Sequence, residues 1–190
     1  LIKNKEFKNC LIVCSETYTK YIDKKDRSTA PIFSDAASAF FIDTKNLPLI
    51  HSTFFYTDGS GAKNLCLKKD ENGKKNLHMH GTNVFTITAE KVPFATKMIL
   101  EKANLKIDEI KYFIFHQASS IVLKTIRDKL GIKDDLFFND IKDYGNTVSS
   151  TIPIALIQLE EKKILPKKQP ILIMGFGVGY SLCGGIFSFD

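Results

Sequence analysis

The chain has 190 residues, of which 44% are hydrophobic and 25% are charged, and its formal net charge is +6. This composition is typical of a globular protein with a sizeable core, and no apolar run approaches the length of a membrane span. The basic residues are nearly all lysines and form no nucleic-acid-binding motif, so we expect neither a membrane nor a nucleic acid as partner.

The cysteines are too scattered to suggest a disulfide framework or a redox motif. None of Cys10, Cys14, Cys66 and Cys183 belongs to a C-x-x-C pair, and all but Cys66 lie in apolar, strand-like runs. Reduced structural thiols are the simplest interpretation, and they favour a cytoplasmic location. The chain begins at Leu1 rather than Met, which we interpret as a fragment or a processed product.

The first 80 residues contain two predicted strands. Residues 10–14 form a short apolar run, as expected for a strand buried on both faces, and residues 49–56 predict another strand. Between them, residues 34–38 have small side chains that allow two backbone segments to approach closely. Residues 60–80 are polar and rich in Lys, Asn and Gly, which predicts a long loop or linker.

Helices and strands alternate in the remainder of the chain. The first predicted helix has Ala89, Val92, Ile99 and Ala103 on one face and Pro93 in its first turn. After a strand at 112–115, a second helix is capped by Ser119 or Ser120 and ended by Gly131. A third helix has an apolar stripe from Val148 to Leu159, and strands follow at 171–174 and 184–189. This alternation predicts an α/β layered fold with a largely parallel sheet. The short connection between the last two strands predicts an antiparallel pair.

Two residues at the ends of predicted elements suggest catalysis. His116 follows a buried strand, and ligands of α/β sheets bind beyond the carboxyl ends of strands. Asn146 lies between Gly145 and Thr147, just before a helix. Alone, each has an ordinary explanation: a histidine satisfied by a carbonyl, and an asparagine in a turn. Together they are two donors that can stabilise an oxygen that gains negative charge, which suggests acyl or carbanion chemistry.

Three other motifs are less informative. The glycines of residues 175–179 lead into a strand rather than a helix, so we reject a dinucleotide-binding loop and expect a tight turn that directs backbone N–H groups at a site. His78 and His80 lack a nearby third ligand, so no metal site is expected. Asp26 and Arg27 form either a surface ion pair or a ligand contact through the arginine.

The motifs taken together resemble those of the thiolase-fold condensing enzymes, specifically the 3-oxoacyl-acyl-carrier-protein synthase III family. The matching stretches occur in the order and at the spacing of that family. They are Asp26-Arg27, residues 32–39 (IFSDAASA), residues 79–85 (MHGTNVF), His116-Gln117-Ala118, residues 145–153 (GNTVSSTIP) and residues 175–181 (GFGVGYS).

The resemblance implies a thiolase-like fold of two similar halves, a layered α/β/α arrangement with a mixed, mostly parallel sheet. Residues 1–80 would be the tail of the first half, and residues 81–190 the complete second half. The nucleophilic cysteine of the family would lie shortly upstream of Leu1, and none of the cysteines present matches its motif. We therefore expect that this chain by itself forms no acyl-enzyme.

The resemblance also assigns roles to individual residues. His116 and Asn146 would be two members of a Cys-His-Asn triad and would stabilise the enolate formed when malonyl-acyl-carrier-protein loses carbon dioxide. Phe176 and Gly177 would line the pocket, and the backbone N–H of Val178 would be a second oxyanion donor. The residues expected to contact coenzyme A or pantetheine are Arg27, which would stack on adenine, and Gly81, Phe85, Ala118 and Ser119.

The family also implies partners. The full-length protein would be a homodimeric acyltransferase that takes acyl-coenzyme A and malonyl-acyl-carrier-protein as substrates. No cofactor is expected, because phosphopantetheine is carried by the substrates. Ser119 and Ile121 replace an asparagine and an arginine that are usual in the family, and Ser34-Asp35-Ala36-Ala37-Ser38 replaces a Gly-Asp-Gly-Ala-Gly run.

Three alternatives remain open from the sequence. The chain could be the non-catalytic half of a split thiolase-fold protein, or part of an acyltransferase of a specialised pathway. It could also be a Cys-His hydrolase, for which Cys183 is the reasonable nucleophile near His116.

Overall fold

The computed structural model describes residue 4, residues 6–45 and residues 47–189. Within these residues the strands are β1 (Asn9–Glu16), β2 (Ala36–Asp43), β3 (Leu49–Thr57), β4 (Leu65–Lys69), β5 (Lys75–Met79), β6 (Tyr112–Phe115), β7 (Ile171–Gly177) and β8 (Ser181–Ser188). The helices are α1 (Gly81–Ala103), α2 (Ser120–Leu130), α3 (Ile141–Tyr144) and α4 (Thr151–Glu161). Short 3-10 turns join several of these elements.

The main sheet has the strand order β3-β8-β7-β6, and it is mixed rather than mostly parallel. Strands β6 and β7 are parallel, whereas β7 and β3 both pair antiparallel with β8. The α/β class is confirmed, and so is the antiparallel arrangement of the last two strands. The expectation of a mixed sheet is confirmed as well. It is not mostly parallel in the described residues, because β3 also pairs antiparallel with β8 and leaves β6–β7 as the parallel pair.

Helices cover both faces of this sheet. Successive side chains of a strand point to opposite faces. Phe113 and Phe115 of β6 therefore pack in one core cluster with residues of α1 and α2. Ile114, between them, packs in a second cluster with Ala155 and Leu159 of α4. This α/β/α layering leaves the carboxyl ends of β6 and β7 uncovered at one edge.

Helix α1 is longer at its start than the sequence suggests. It begins at Gly81, so Pro93 lies in the helix interior and not in a first turn. The continuous buried stripe begins only at Thr88, because the first two turns face a cavity rather than the core. Helix α2 has the expected ends, with Ser119 as the N-cap and Gly131, at φ 67°, as the C-cap.

The polar segment expected to be a loop contains a β-hairpin. Strands β4 and β5 pair antiparallel, from Leu65 opposite Met79 to Lys69 opposite Lys75. Asp70 organises the turn, since its carboxylate accepts hydrogen bonds from the backbone N–H groups of Asn72 and Lys74. The prediction failed because the hairpin is largely exposed and therefore has polar side chains on most of its surface.

Strand β1 exists as predicted, but it is not buried on both faces. It pairs antiparallel with β2 in a separate two-stranded sheet. Leu11 and Val13 are each 62% exposed, because no described element covers that face of the strand. On its other side, the segment Val148–Ser150 packs against it, with the Ser150 hydroxyl donating to the Cys14 carbonyl.

Other predicted boundaries differ slightly. Val148 lies in a 3-10 turn, and α4 begins only at Thr151. Gly175 and Gly177 belong to β7, so the tight turn comprises residues 178–180. The division into halves at residue 80 stays a prediction. Within the described residues, no helix is both long and apolar enough to cross a membrane.

Candidate active site

A cavity of about 660 Å³ lies beyond the carboxyl ends of β6 and β7. The starts of α1 and α2, the segment before α4 and the end of β7 form its walls. It brings together all the predicted site residues except Arg27. Those residues are Gly81, Phe85, His116, Ala118, Ser119, Asn146, Phe176, Gly177 and Val178.

The imidazole of His116 is held from two sides. Its backbone N–H donates to the Met174 carbonyl at 2.9 Å, which extends the β6–β7 pairing by one residue. Ring nitrogen Nδ1 lies 2.7 Å from the Thr151 hydroxyl, and the ring of Phe176 packs edge-on at 5.2 Å. Nitrogen Nε2 has no partner among the described residues, so it remains available to a ligand.

Burial keeps this imidazole neutral at physiological pH. Desolvation lowers the pKa of His116 to about 4, and an interaction with the Val148 backbone opposes this shift only in part. A neutral imidazole has one N–H donor. It can therefore stabilise a developing negative charge on a ligand oxygen without being a cation in the resting protein.

Asn146 is 5% exposed, and its neighbours fix the orientation of its amide. Oxygen Oδ1 accepts from the Val148 N–H at 2.9 Å, and Nδ2 donates one hydrogen to the Ala118 carbonyl at 3.2 Å. The second amide hydrogen has no partner within the part of the chain that the structure describes. This arrangement leaves one N–H of Asn146 for a ligand in the cavity that His116 also lines.

A backbone clamp places Asn146 against the small-residue segment. Its N–H donates to the Ile32 carbonyl at 2.9 Å, and its carbonyl accepts from the Ser34 N–H at 3.0 Å. The preceding Gly145 has φ 69° and ψ −163°, a conformation that is almost restricted to glycine. A Cβ atom there would also lie 3.1 Å from the Ser34 hydroxyl. The predicted close approach is therefore observed.

Val148 and Thr151 are site residues that the sequence analysis missed. Val148 has φ 54°, which is unusual for a β-branched residue and is typical of strained positions at functional sites. Its N–H donates to the amide oxygen of Asn146, and its carbonyl oxygen lies 3.0 Å from the Thr151 hydroxyl. The sequence feature that could have revealed these two site residues is the hydroxyl-rich stretch that follows Asn146.

The hairpin between β7 and β8 places backbone groups at the cavity. Gly177 pairs with Ser181, and Val178 follows as the first turn residue, 47% exposed. The turn and loop hydrogen bonds of the described residues include none from the Val178 N–H. This N–H is thus free for a ligand, as an oxyanion donor requires.

Aromatic side chains narrow the cavity on the side of the first 40 residues. Tyr18 and Phe33 both line it, with ring centroids 5.3 Å apart. Neither was predicted as a site residue, because Tyr18 belongs to no matching stretch and Phe33 was noted only as part of residues 32–39. Ile121 also lines the cavity and is 70% exposed, which places an apolar side chain at the rim.

Arg27 lies on an exposed loop outside the cavity lining. The surface ion pair with Asp26 that the sequence allowed is absent from the ion pairs of the described residues. The Asp26 carboxylate instead accepts from the Ser28 N–H and from the hydroxyls of Ser28 and Thr29, and these hydrogen bonds lower its pKa. The role of Arg27 in stacking on adenine stays a prediction.

The structure gives no support to a hydrolase built on the present cysteines. All four are free, and none lines the cavity. Cys183 pairs with Gly175 and Phe55 in the sheet, and burial raises the pKa of its thiol, which disfavours the thiolate. The described residues also contain no cluster of His, Cys, Asp or Glu side chains suited to a metal ion.

Comparisons with known proteins agree with this geometry. Residues 100–189 match the family described as 3-Oxoacyl-[acyl-carrier-protein (ACP)] synthase III C terminal, and residues 1–59 match 3-Oxoacyl-[acyl-carrier-protein (ACP)] synthase III. The chain belongs to the 3-oxoacyl-acyl-carrier-protein synthase III family. The thiolase-like fold expected from the motifs is confirmed by solved structures of that family.

Three individual proteins illustrate the similarity. The beta-ketoacyl-[acyl-carrier-protein] synthase III of Clostridium tetani is 32% identical over 94% of this chain and 59% of its own length. The crystal structure of the Aquifex aeolicus synthase III has a TM-score of 0.88 at 29% identity and covers 98% of this chain and 60% of its own. The priming beta-ketosynthase of the R1128 polyketide biosynthetic pathway has a TM-score of 0.90 at 29% identity. The match covers 100% of this chain and 60% of that protein's chain. The chain thus spans about three fifths of the length of the proteins it matches.

Proposed function

We propose that the native polypeptide containing this sequence is a beta-ketoacyl-acyl-carrier-protein synthase III. It would be an acyltransferase that condenses an acyl-coenzyme A starter with malonyl-acyl-carrier-protein in fatty-acid biosynthesis. One observation carries the proposal: the unpaired Nε2 of His116 and the unpaired amide hydrogen of Asn146 belong to one cavity.

This pair suits the decarboxylation step. When the bond between the malonyl carboxylate and C2 breaks, carbon dioxide leaves and the electron pair moves onto the thioester as an enolate. Two fixed, neutral donors stabilise the enolate oxygen more than the neutral carbonyl that precedes it, so they lower the barrier. The enolate carbon then attacks an acyl thioester on the family's cysteine, and the thiolate leaves. The Val178 N–H is suited to stabilise the oxyanion of this second step.

The cavity suits a pantetheine arm. Its lining is mainly apolar, with Phe85, Val122 and Ile121 among the contributing side chains. Polar groups such as Ser119 and the backbone at Gly81 are available for the amides of the arm. The partners would be acyl carrier protein and coenzyme A thioesters, with no dissociable cofactor. We also propose that the protein is a homodimer in the cytoplasm. The free cysteines are consistent with that compartment.

The first experiment defines the native protein and measures the decarboxylation alone. An antibody against this chain establishes the mass of the polypeptide in its source cells. That polypeptide is then incubated with malonyl-coenzyme A labelled at the free carboxyl carbon, and released carbon dioxide is counted. The proposal predicts release that falls about 10²- to 10³-fold in His116→Ala and Asn146→Ala.

Two matched substitutions control for general effects. His51→Ala and Asn76→Ala remove the same side-chain types outside the cavity, where His51 contacts Ser188 and Asn76 contacts Asp70. Both are expected to release carbon dioxide at the wild-type rate. Release that is unaffected by either cavity substitution would contradict the proposal.

A specialised pathway is the second candidate, supported by the similarity to the polyketide priming synthase. The two functions differ in the carrier protein that delivers the malonyl group. Parallel assays with the fatty-acid carrier protein and with pathway-specific carrier proteins of the source organism separate them. The antibody measurement of the native mass also tests whether the enzyme is split between two chains. A native mass of 21.4 kDa would direct the search to a separate chain that supplies the nucleophile.

A further inference from the structure

The hydroxyl of Thr151 lies between a ring nitrogen of His116 and a backbone carbonyl. Thr151 is 3% exposed, at the start of α4. Its Oγ1 is 2.7 Å from Nδ1 of His116 and 3.0 Å from the carbonyl oxygen of Val148. A threonine hydroxyl has one hydrogen, so it donates to only one of these groups at a time.

The choice of acceptor decides which nitrogen of His116 carries the proton. If the hydroxyl donates to Nδ1, then Nδ1 is the bare nitrogen of the neutral ring and Nε2 carries the hydrogen. If the hydroxyl donates to the Val148 carbonyl, Nδ1–H donates to Oγ1 and Nε2 presents a lone pair to the cavity. Only the first arrangement gives the cavity a donor from His116.

We propose that Thr151 is a positioning residue that donates to Nδ1 of His116 and thereby keeps the ring proton on Nε2. The inference rests on the proposed function, which requires a donor at Nε2. The two distances favour it, because 2.7 Å is an ordinary length for a hydrogen bond donated by a hydroxyl but short for one donated by an N–H, whereas 3.0 Å is long for a bond between a hydroxyl and a carbonyl oxygen.

Nitrogen NMR of the histidine rings tests the tautomer without any substrate. Chain labelled with ¹⁵N is measured at pH 7, and the His116 signals are assigned by their loss in His116→Gln. The expected result is a hydrogen on Nε2 in the wild type and in Thr151→Ser, which keeps the hydroxyl. Thr151→Val keeps the shape but lacks the hydroxyl, so the hydrogen is expected to redistribute toward Nδ1, with the Val148 carbonyl as the nearby acceptor.

The decarboxylation rate of the native polypeptide is the second readout. Thr151→Val is expected to lower it at least about tenfold, and Thr151→Ser to retain most of it. A hydrogen on Nδ1 in the wild type, or an unchanged tautomer in a folded Thr151→Val, would overturn the proposal. Because the tautomer is measured without substrate, this failure is distinct from a failure of the proposed function, in which the wild type releases no carbon dioxide.

Discussion

Lys129 donates a hydrogen bond to the carbonyl of Ala89, the group that Pro93 leaves without a helical partner. In a regular α-helix the N–H of residue 93 would bind the carbonyl of residue 89, but proline has no N–H. The Lys129 ammonium of α2 reaches that carbonyl at 3.0 Å. The Lys129 side chain thus supplies the hydrogen-bond donor that Pro93 lacks. It also joins α1 to α2, next to the cavity that both helices line.

Removing this lysine is expected to destabilise the protein by an amount that depends on Pro93. Lys129→Met should lower the free energy of unfolding by about 1 kcal/mol, because the carbonyl loses its donor. In a Pro93→Ala background the alanine N–H can bind the carbonyl, so the same substitution should have little effect. Urea unfolding of the four proteins measures this coupling, and equal losses in both backgrounds would contradict the account.

Gly145 is expected to be intolerant of a side chain. Gly145→Ala places a Cβ against Ser34 and Ile32 in a backbone conformation that alanine rarely adopts. We expect a loss of roughly 1–3 kcal/mol in the free energy of unfolding and a lower decarboxylation rate, since Asn146 follows directly. Gly59→Ala is the control, because a Cβ there meets no atom within 4 Å, and its effect should stay within about 0.5 kcal/mol. A loss for Gly145→Ala as small as that expected for the control would contradict this prediction.

Asp140 is a buried carboxyl group beside the site. It is 8% exposed, it accepts from Gln158 at 3.0 Å, and its backbone N–H donates to Gln117, the neighbour of His116. Desolvation raises its pKa to about 6. The folded state therefore holds this proton more tightly than the unfolded state, so the contribution of Asp140 to stability decreases as the pH rises through about 6.

Asp140→Asn removes this titration and keeps an oxygen for Gln158. The variant is expected to exceed the wild type in free energy of unfolding at pH 8 by about 1–3 kcal/mol, with a smaller difference at pH 5. Urea unfolding at both pH values provides the measurement, with the exposed Asp108→Asn as control. A pH-independent destabilisation by Asp140→Asn would show that the carboxylate is a net stabilising partner.

Arg27 is expected to contribute to the binding of coenzyme A but not of pantetheine alone. Because it lies outside the cavity lining, we expect it to contact the nucleotide end of the ligand rather than the arm that fills the cavity. Arg27→Ala should weaken coenzyme A binding several-fold through the loss of stacking, and Arg27→Lys should not restore it fully. Calorimetry with both ligands provides the test, with Lys25→Ala as control. Equal losses for both ligands would contradict the stacking role.

The sequence was informative where a feature is local. Strand β6 has the predicted bounds, and Ser119 and Gly131 end α2 as expected, because buried runs and caps are determined by adjacent residues. His116 was recognised because it directly follows β6, and Asn146 because it precedes a predicted helix, although α4 begins only at Thr151.

Features that depend on distant contacts were not predictable. Pro93 is tolerated within α1 where Lys129, 36 positions later, replaces its missing donor. The wall formed by Tyr18 and Phe33, and the contact of Thr151 with His116, join residues that are distant in the sequence, and no local pattern shows that their side chains meet. The exposed hairpin of β4 and β5 has few buried side chains, so its pattern of hydrophobicity was too weak to predict strands.

The central claim is that His116 and Asn146 stabilise the same oxygen, and a double-mutant cycle tests it most directly. The measurement is carbon dioxide release from malonyl-coenzyme A by the native polypeptide, by His116→Ala, by Asn146→Ala and by the double variant. If both donors act on one enolate oxygen, the double variant should lose far less than the product of the two single losses. Losses that multiply would mean that the two side chains act independently, and an unaffected rate in either single variant would remove that residue from the site.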